Sequence, residues 1–357
     1  MQNLKRSILV TGGCGFVGSS LAVKLKLRYP QNNIICFDNL KRRGSELNLN
    51  RLKELDIEFI HGDIRNIEDL DFNHQLDIII DCCAEPSVLA GINENPNYLI
   101  NTNLNGTVNC LNLAVKNNAK FVFLSTSRVY PINSLNEIAF EENQTRFSIS
   151  KNQTLTGITE KGVSESFPLN DYRSLYGATK LASELLIAEY QNLLGLQTVV
   201  NRCGVLTGPY QMGKVDQGVV VLWMAKHFFN QSLKYFGYGA TGKQVRDILH
   251  VNDLFELIDL QLNNFEKVNG KTYNVGGGTF SSVSLTELSE MCVDITGNKI
   301  NIGSVAETRT ADIRIYITDN TKIENELGWK PTYQPKVILN EIFDWIKVNE
   351  STLKNIL

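Results

Sequence analysis

The feature that most narrows the fold is a glycine-rich turn set between a short apolar run and an amphipathic stretch. Residues 7–10 are mostly β-branched and apolar, and they lead directly into Thr11-Gly12-Gly13-Cys14-Gly15-Phe16-Val17-Gly18. From Gly18 to position 28, apolar residues recur at three- and four-residue spacing, the period of a helix. Glycines at such a strand-to-helix junction allow a tight turn, a close backbone approach to a pyrophosphate and close helix packing, with the helix N-terminus facing the anion. A structural turn gives the same letters, so the flanking strand and helix carry the reading.

The alternation continues. Further β-branched runs fall at 34–37, 58–60, 78–81, 121–124 and 198–201, with helical patterns at 98–117 and 174–194 between them. This predicts an α/β fold, a Rossmann-type doubly wound parallel sheet, with a smaller mixed α/β C-terminal substrate domain. The NAD-binding domain is expected over 1–204. It carries a polar insertion at 131–173, too long for an ordinary connection, which reads as a mobile insertion or a lid. Residues 205–357 form mainly the substrate domain, with helices near 219–230, 253–263, 285–296 and 335–347 and some segments returning to the first domain.

Composition excludes several function classes. A net charge of -3 and 20% charged residues do not suit a nucleic-acid binder. No apolar run reaches the ~18 residues of a membrane span, and no signal-peptide core precedes the glycines, so a cytoplasmic protein with no membrane partner is expected. The seven cysteines have no C-x-x-C spacing and there are only four histidines, which predicts buried reduced thiols and no metal site.

Asp38 ends the second strand, 20 positions after Gly18. A carboxylate there can accept from the adenosine ribose and repels a 2′-phosphate, which favours NAD over NADP. Lys41, Arg42 and Arg43 follow closely and pull the other way, and a strand-end turn is the plainer role for Asp38. Asp63 and Ile64, after the third strand, are candidates for the adenine end. Tyr176 and Lys180 are four apart on a predicted helix and share a face. Lys180 can stabilise a tyrosinate, which makes a phenol of ordinary pKa about 10 a usable base. The pair needs a hydroxyl partner, and Thr126 in Ser125-Thr126-Ser127-Arg128-Val129-Tyr130, after the fifth strand, offers one.

With these residues in view, the chain resembles the extended short-chain dehydrogenase/reductase family over nearly its whole length, from Thr11-Gly12-Gly13 through Tyr176-Gly177-Ala178-Thr179-Lys180 and beyond. The resemblance implies that Thr126, Tyr176 and Lys180 are the catalytic triad. It also implies that Gly12, Gly15, Phe16, Val17, Gly18, Asp38, Asn39, Asp63, Ile64, Ala84, Asn103, Ser125, Tyr176 and Lys180 line the NAD site. Family dehydratases carry Asp-Glu after the catalytic threonine and decarboxylases a glutamate two places on, whereas this chain has Ser127 and Arg128. Glu142-Asn143-Gln144-Thr145-Arg146-Phe147, Asp216-Gln217-Gly218, Gly242-Lys243-Gln244-Val245-Arg246-Asp247-Ile248-Leu249-His250 and Arg309-Thr310-Ala311-Asp312-Ile313-Arg314 resemble the branch that inverts carbon 2 of CDP-sugars such as CDP-paratose and CDP-tyvelose, in lipopolysaccharide O-antigen biosynthesis.

That likeness implies a nucleotide-sugar substrate, a CDP-sugar first, held by Gln217, Arg246, Arg309 and Asp312. The arginines would grip the diphosphate and Asp312 would face the ribose or orient Arg309; surface ion pairs are the plainer reading. It further implies a homo-oligomer, a dimer or tetramer. Alternatives left open are an epimerase of another CDP- or UDP-hexose and a net NAD-dependent dehydrogenase or reductase. A non-catalytic NAD-binding protein is disfavoured by the intact triad.

Overall fold

The computed structural model describes residues 5–71, 75–92, 94–213 and 217–357. The chain divides into two compact units that alternate along it: residues 1–129, 175–202 and 255–272 form the first, and residues 130–174, 203–254 and 273–357 the second. Residues 131–173, expected within the first domain, therefore group with the second unit. Residues 255–272 return to the first.

The largest sheet has seven strands, most of them in the first unit. Its strands are β1 (Ser7–Thr11), β2 (Asn33–Asp38), β3 (Glu58–His61), β4 (Ile78–Asp81), β5 (Lys120–Thr126), β6 (Thr198–Cys203) and β7 (Lys271–Val275), in the spatial order β7-β6-β5-β4-β1-β2-β3. The pairings of β1 with β2 and β4, of β2 with β3 and of β4 with β5 are parallel. Strand order reverses between β1 and β4, the kind of crevice where sheets of this type receive ligands. The six strands read from the sequence are all present. The edge strand β7, Lys-Thr-Tyr-Asn-Val, was not expected, because it arrives 68 residues after β6 ends and is too short to announce its period.

Leu9, Ile35, Phe37, Ile79, Phe121 and Phe123 of the sheet pack with Leu111 and Ala114 of α2 (Gly106–Asn117) and Ile187 of α3 (Leu175–Leu194). At about 1.5–3 kcal/mol for each large side chain fully buried, this core fixes the strand ends that carry the site. The helix expected over 98–117 is interrupted: a short helix at Asn97–Ile100 passes through a π-type turn at Asn101–Asn105 before α2 begins.

In the second unit, strand Val245–His250 pairs with Val205–Thr207, Ser282–Ser284 and Ile315–Tyr316, while Leu233–Phe236 pairs with Ile302–Val305. Helices Val219–Phe228, Leu285–Thr296 and Pro335–Val348 pack on one another. The segment 131–173 folds as two small hairpins, Phe140–Glu142 with Phe147–Ile149 and Ile158–Thr159 with Gly162–Val163. It is tied down within its own unit. Arg146 Nε donates to Glu287 at 2.7 Å and its other nitrogens reach Ser282, while Val163 N donates to Ile317 O at 2.8 Å.

Candidate active site

The turn after β1 is shaped for an anion. Gly12 has φ +63°, and a Cβ there would meet the backbone of Cys82 and Cys83, which follow β4, at 3.0 Å. A Cβ on Gly18 would lie 2.2 Å from Gly12 O, so this glycine lets α1 (Phe16–Arg28) seat against the turn. Gly15 is the N-cap of α1, with no side-chain cap and no acid in the first turn. The first amides of α1 are thus left to a negatively charged ligand. Gly12, Gly15, Phe16 and Val17 are partly exposed, and Gly18 is buried behind them. Cys14 in the turn is buried, and burial together with Asp38 pushes its thiol up to about 12, which keeps it protonated and inert.

At the end of β2, Asp38 accepts from Cys14 N at 3.0 Å and Leu40 N at 2.8 Å, and burial raises its pKa in spite of these bonds. It braces the glycine turn and keeps lone pairs for a ribose. Asp63 accepts from Asn39 Nδ2 at 2.8 Å and from Arg65 Nε at 2.9 Å. Burial would raise its pKa, but the Arg65 and Asn39 hydrogen bonds prevail and hold it at about 2. Beside them Lys41 Nζ lies 3.0 Å from the centre of the Tyr98 ring and the Arg65 guanidinium 4.7 Å from it. The cation that argued for a 2′-phosphate therefore has an aromatic partner.

Asn103 sits in the π-type turn, fully buried. Its Oδ1 accepts from Glu85 N at 2.7 Å and its Nδ2 donates to Glu85 O at 3.0 Å, so it clamps the segment around Ala84 that leaves β4. The extra residue in the turn aims this side chain, a use typical of π-type insertions. Ile64 is buried against Gly106. Asp81 was missed by the sequence reading: fully buried at the end of β4, it accepts from Thr11 Oγ1 at 2.6 Å, Thr107 Oγ1 at 3.1 Å and Cys83 N at 3.2 Å. A lone carboxylate ending the run Ile78-Ile79-Ile80 was its signal.

Thr126 closes β5. Its Oγ1 accepts from Arg128 N at 3.2 Å, so its hydroxyl hydrogen can be donated to a substrate oxygen. Tyr176 is partly exposed in the first turn of α3, and Lys180 is buried one turn later with Nζ 3.8 Å from the Phe123 ring centre. Cation–π contact and helical pitch together fix the ammonium on the face that Tyr176 shares. Ser125, expected at the cofactor, donates its hydroxyl hydrogen to Glu184. Glu184 and its partner Arg202 were not foreseen, since a charged pair inside helical and strand patterns looks like two solvated faces until the fold buries it.

In the second unit, Arg246 donates to Val245 O and Ile313 O, both at 2.7 Å. Arg309 pairs with Asp312 through Nε at 3.2 Å and Nη2 at 3.1 Å, and its guanidinium lies 5.3 Å from the Phe236 ring centre. Asp312 thus holds the Arg309 guanidinium in place. Tyr238 has its pKa raised, by burial first, with Arg246 and Arg314 opposing and Asp312 adding, which gathers these three residues around one phenol. Arg314, stacked 4.1 Å from Phe140, was not singled out from the sequence. Gln217 is half-buried just before Gly218, the N-cap of Val219–Phe228; Asp216 lies outside the described residues. Among the described residues, no cluster of His, Cys, Asp and Glu is suited to a metal ion, and no helix is long and apolar enough to cross a membrane.

The model of the NAD dependent epimerase/dehydratase family matches residues 8–276. The chain belongs to this family. CDP-paratose 2-epimerase of Salmonella typhi is 33% identical over 347 residues, which cover 95% of this chain and 98% of that protein. The dTDP-glucose 4,6-dehydratase of Salmonella typhimurium is 27% identical over 372 residues, 98% of this chain and 95% of its own. Among solved structures, the dTDP-glucose 4,6-dehydratase DesIV of Streptomyces venezuelae, with NAD and TYD bound, matches with TM-score 0.79 at 28% identity, covering 98% of this chain and 100% of that one. As a family member the protein is an NAD-dependent enzyme of the epimerase type. The glycine cradle, the uncapped start of α1 and Asp38 fit that cofactor in chemistry as well as in position.

Proposed function

We propose that the protein is a CDP-sugar 2-epimerase that interconverts CDP-paratose and CDP-tyvelose. The observation that carries an epimerase over a dehydratase is the triad at the end of β5 and the start of α3, with Ser127 and Arg128 in place of the acids a dehydratase employs. Similarity to the Salmonella typhi enzyme over 95% of the chain supports the choice of sugar.

The residues divide the work. Gly12, Gly15, Phe16, Val17, Gly18, Asp38, Asn39, Asp63, Ile64, Ala84 and Asn103 hold NAD, which when bound supplies a reversible hydride acceptor. Tyr176 takes the proton from the hydroxyl on sugar carbon 2 and later returns it; Lys180 stabilises the phenolate meanwhile, and Thr126 orients the same oxygen. Arg246 and Arg309, the latter oriented by Asp312, bind the diphosphate, and Gln217 adds a polar contact. Holding the substrate by its diphosphate keeps an oxidised sugar from escaping and lets the ring turn, since binding remote from the reacting carbon retains it. The working form is a homo-oligomer in the cytoplasm.

Proton NMR in deuterated water with CDP-paratose or CDP-tyvelose tests the reading. The expected result is interconversion of the anomeric signals with the carbon 2 proton retained. Conversion with deuterium incorporated would reject transient oxidation, and absence of conversion by NAD-bound protein would reject the CDP-sugar assignment.

A further inference from the structure

Behind the triad lies a buried charged unit that the chemistry above does not use. Arg202, on β6, donates to Glu184, on α3, through Nη2 at 2.7 Å and Nε at 3.1 Å. Their side chains are only 8% and 7% exposed. Glu184 also accepts the hydroxyl hydrogen of Ser125, the neighbour of Thr126 on β5. One carboxylate therefore links the strand that ends in Thr126, the helix that carries Tyr176 and Lys180, and the next strand of the sheet.

Tyr176, Lys180 and Glu184 stand at i, i+4 and i+8, so they lie along one face of α3, with Glu184 about 12 Å along the axis from Tyr176. A helix packed by apolar contacts alone can slip or rotate slightly at little cost, because dispersion is not directional. A forked guanidinium–carboxylate pair with a third hydrogen bond has one good geometry. Taking both charges out of water costs several kcal/mol per ion, and an apolar pair of similar volume is often as stable, so stability alone is a poor account of this unit.

We infer that Ser125, Glu184 and Arg202 are positioning residues that set the rotation and axial placement of α3 against β5, and thereby hold the Tyr176 phenol and the Lys180 ammonium in register with Thr126. The inference rests on the reading of Tyr176 as the proton acceptor. Small displacements at a proton-transfer site are costly, so loosening the unit acts on turnover before it acts on binding.

The test uses the NAD-bound enzyme and two substitutions that leave net charge unchanged: Ser125→Ala, and the double variant Glu184→Met with Arg202→Met. Tyr176 is titrated by the ultraviolet absorbance difference between each protein and its Tyr176→Phe counterpart, and turnover is followed with CDP-paratose. The expected result for Ser125→Ala is a phenol midpoint raised by about one pH unit. Its kcat should fall about tenfold near neutrality with KM within about twofold. The double variant should shift further in the same direction. A Ser125→Ala protein whose Tyr176 titration and kcat coincide with the parent's overturns the inference, and so does a loss confined to thermal stability. A parent whose Tyr176 titrates near the ordinary value of about 10 rejects the proton-acceptor reading itself, and the positioning role falls with it.

Discussion

Two aspartates at the cofactor end show how much neighbours decide what a residue does. Asp38 is held by backbone amides and its pKa is raised by burial, whereas Arg65 and Asn39 overcome burial to bring Asp63 to about 2. Asp63 is therefore a fixed anion throughout the working range, and besides its proposed place at the NAD site it holds Arg65 beside Tyr98. At the triad the single-atom change is the informative one. Tyr176→Phe deletes the proton acceptor with little change of shape, so the variant should fold, retain NAD by absorbance and lose about 10²–10⁴-fold in kcat. Activity within a few-fold of the parent would reject the triad. For the diphosphate the comparable change is Arg246→Ala. By removing a charge-assisted fork it should weaken CDP binding about tenfold to a hundredfold in calorimetry, and an unchanged affinity would remove Arg246 from the substrate site.

Among the elements, Val245–His250 carries Arg246 and, beside it, the fully buried Asp247. Burial raises the pKa of Asp247 to about 6, although the backbone amides of Gly278 and Thr318 donate to it. The unfolded value lies near 3.8, so the folded state holds the proton more tightly. The contribution of this carboxyl is complete below pH about 4 and is lost as pH rises through about 6. Asp247→Asn should therefore gain stability relative to the parent between pH 5 and pH 7, by about 1 kcal/mol, because most of the loss in the parent occurs between about pH 4 and pH 6 and little is added above it. Chemical denaturation at the two pH values measures it, and a difference that is flat with pH would show that Asp247 keeps an ordinary pKa in the fold.

The elements also explain what could be read in advance. The strands β1 to β6 announced themselves because each is a short apolar run bounded by turn residues, and the glycine turn because its neighbours gave it context. The positions of the proposed triad on these elements were legible because Y-x-x-x-K is a local spacing on one helix and Ser125-Thr126 ends a strand. Asp81, Glu184 and Arg202 were not, since their meaning comes from partners 18 to 70 residues away. The π-type turn escaped for a related reason: its cause is the clamp between Asn103 and Glu85, which no periodicity within 98–117 contains.

For the whole molecule, contiguity along the chain was a poor guide to partition. The sequence placed the main boundary at 204 with some later segments returning to the first domain, and the chain passes between units at 129, 174, 202, 254 and 272. The crossings at 129 and 174 lie at element edges, whereas those at 254 and 272 fall inside the helix Val251–Asn263 and inside β7, which enters the sheet only after the chain has passed through the second unit. The residues expected to hold NAD are gathered on the first unit even so, because β1, β2, β4 and β5 present their carboxyl ends on one side of a parallel sheet. A ligand that binds there and has no affinity for the unfolded chain stabilises the fold by mass action, about 2.7 kcal/mol at a hundredfold excess over Kd. With an unfolding entropy of about 2.1 cal/mol/K per residue, a chain of this length should rise by about 4 °C in Tm on saturation with NAD. NADP at the same concentration should give a smaller rise, because the Asp38 carboxylate at the end of β2 would repel a 2′-phosphate and Lys41 lies on the Tyr98 ring. Equal rises with the two dinucleotides would mean that Arg42 and Arg43 outweigh Asp38, and the cofactor preference would have to be reassigned to that basic run.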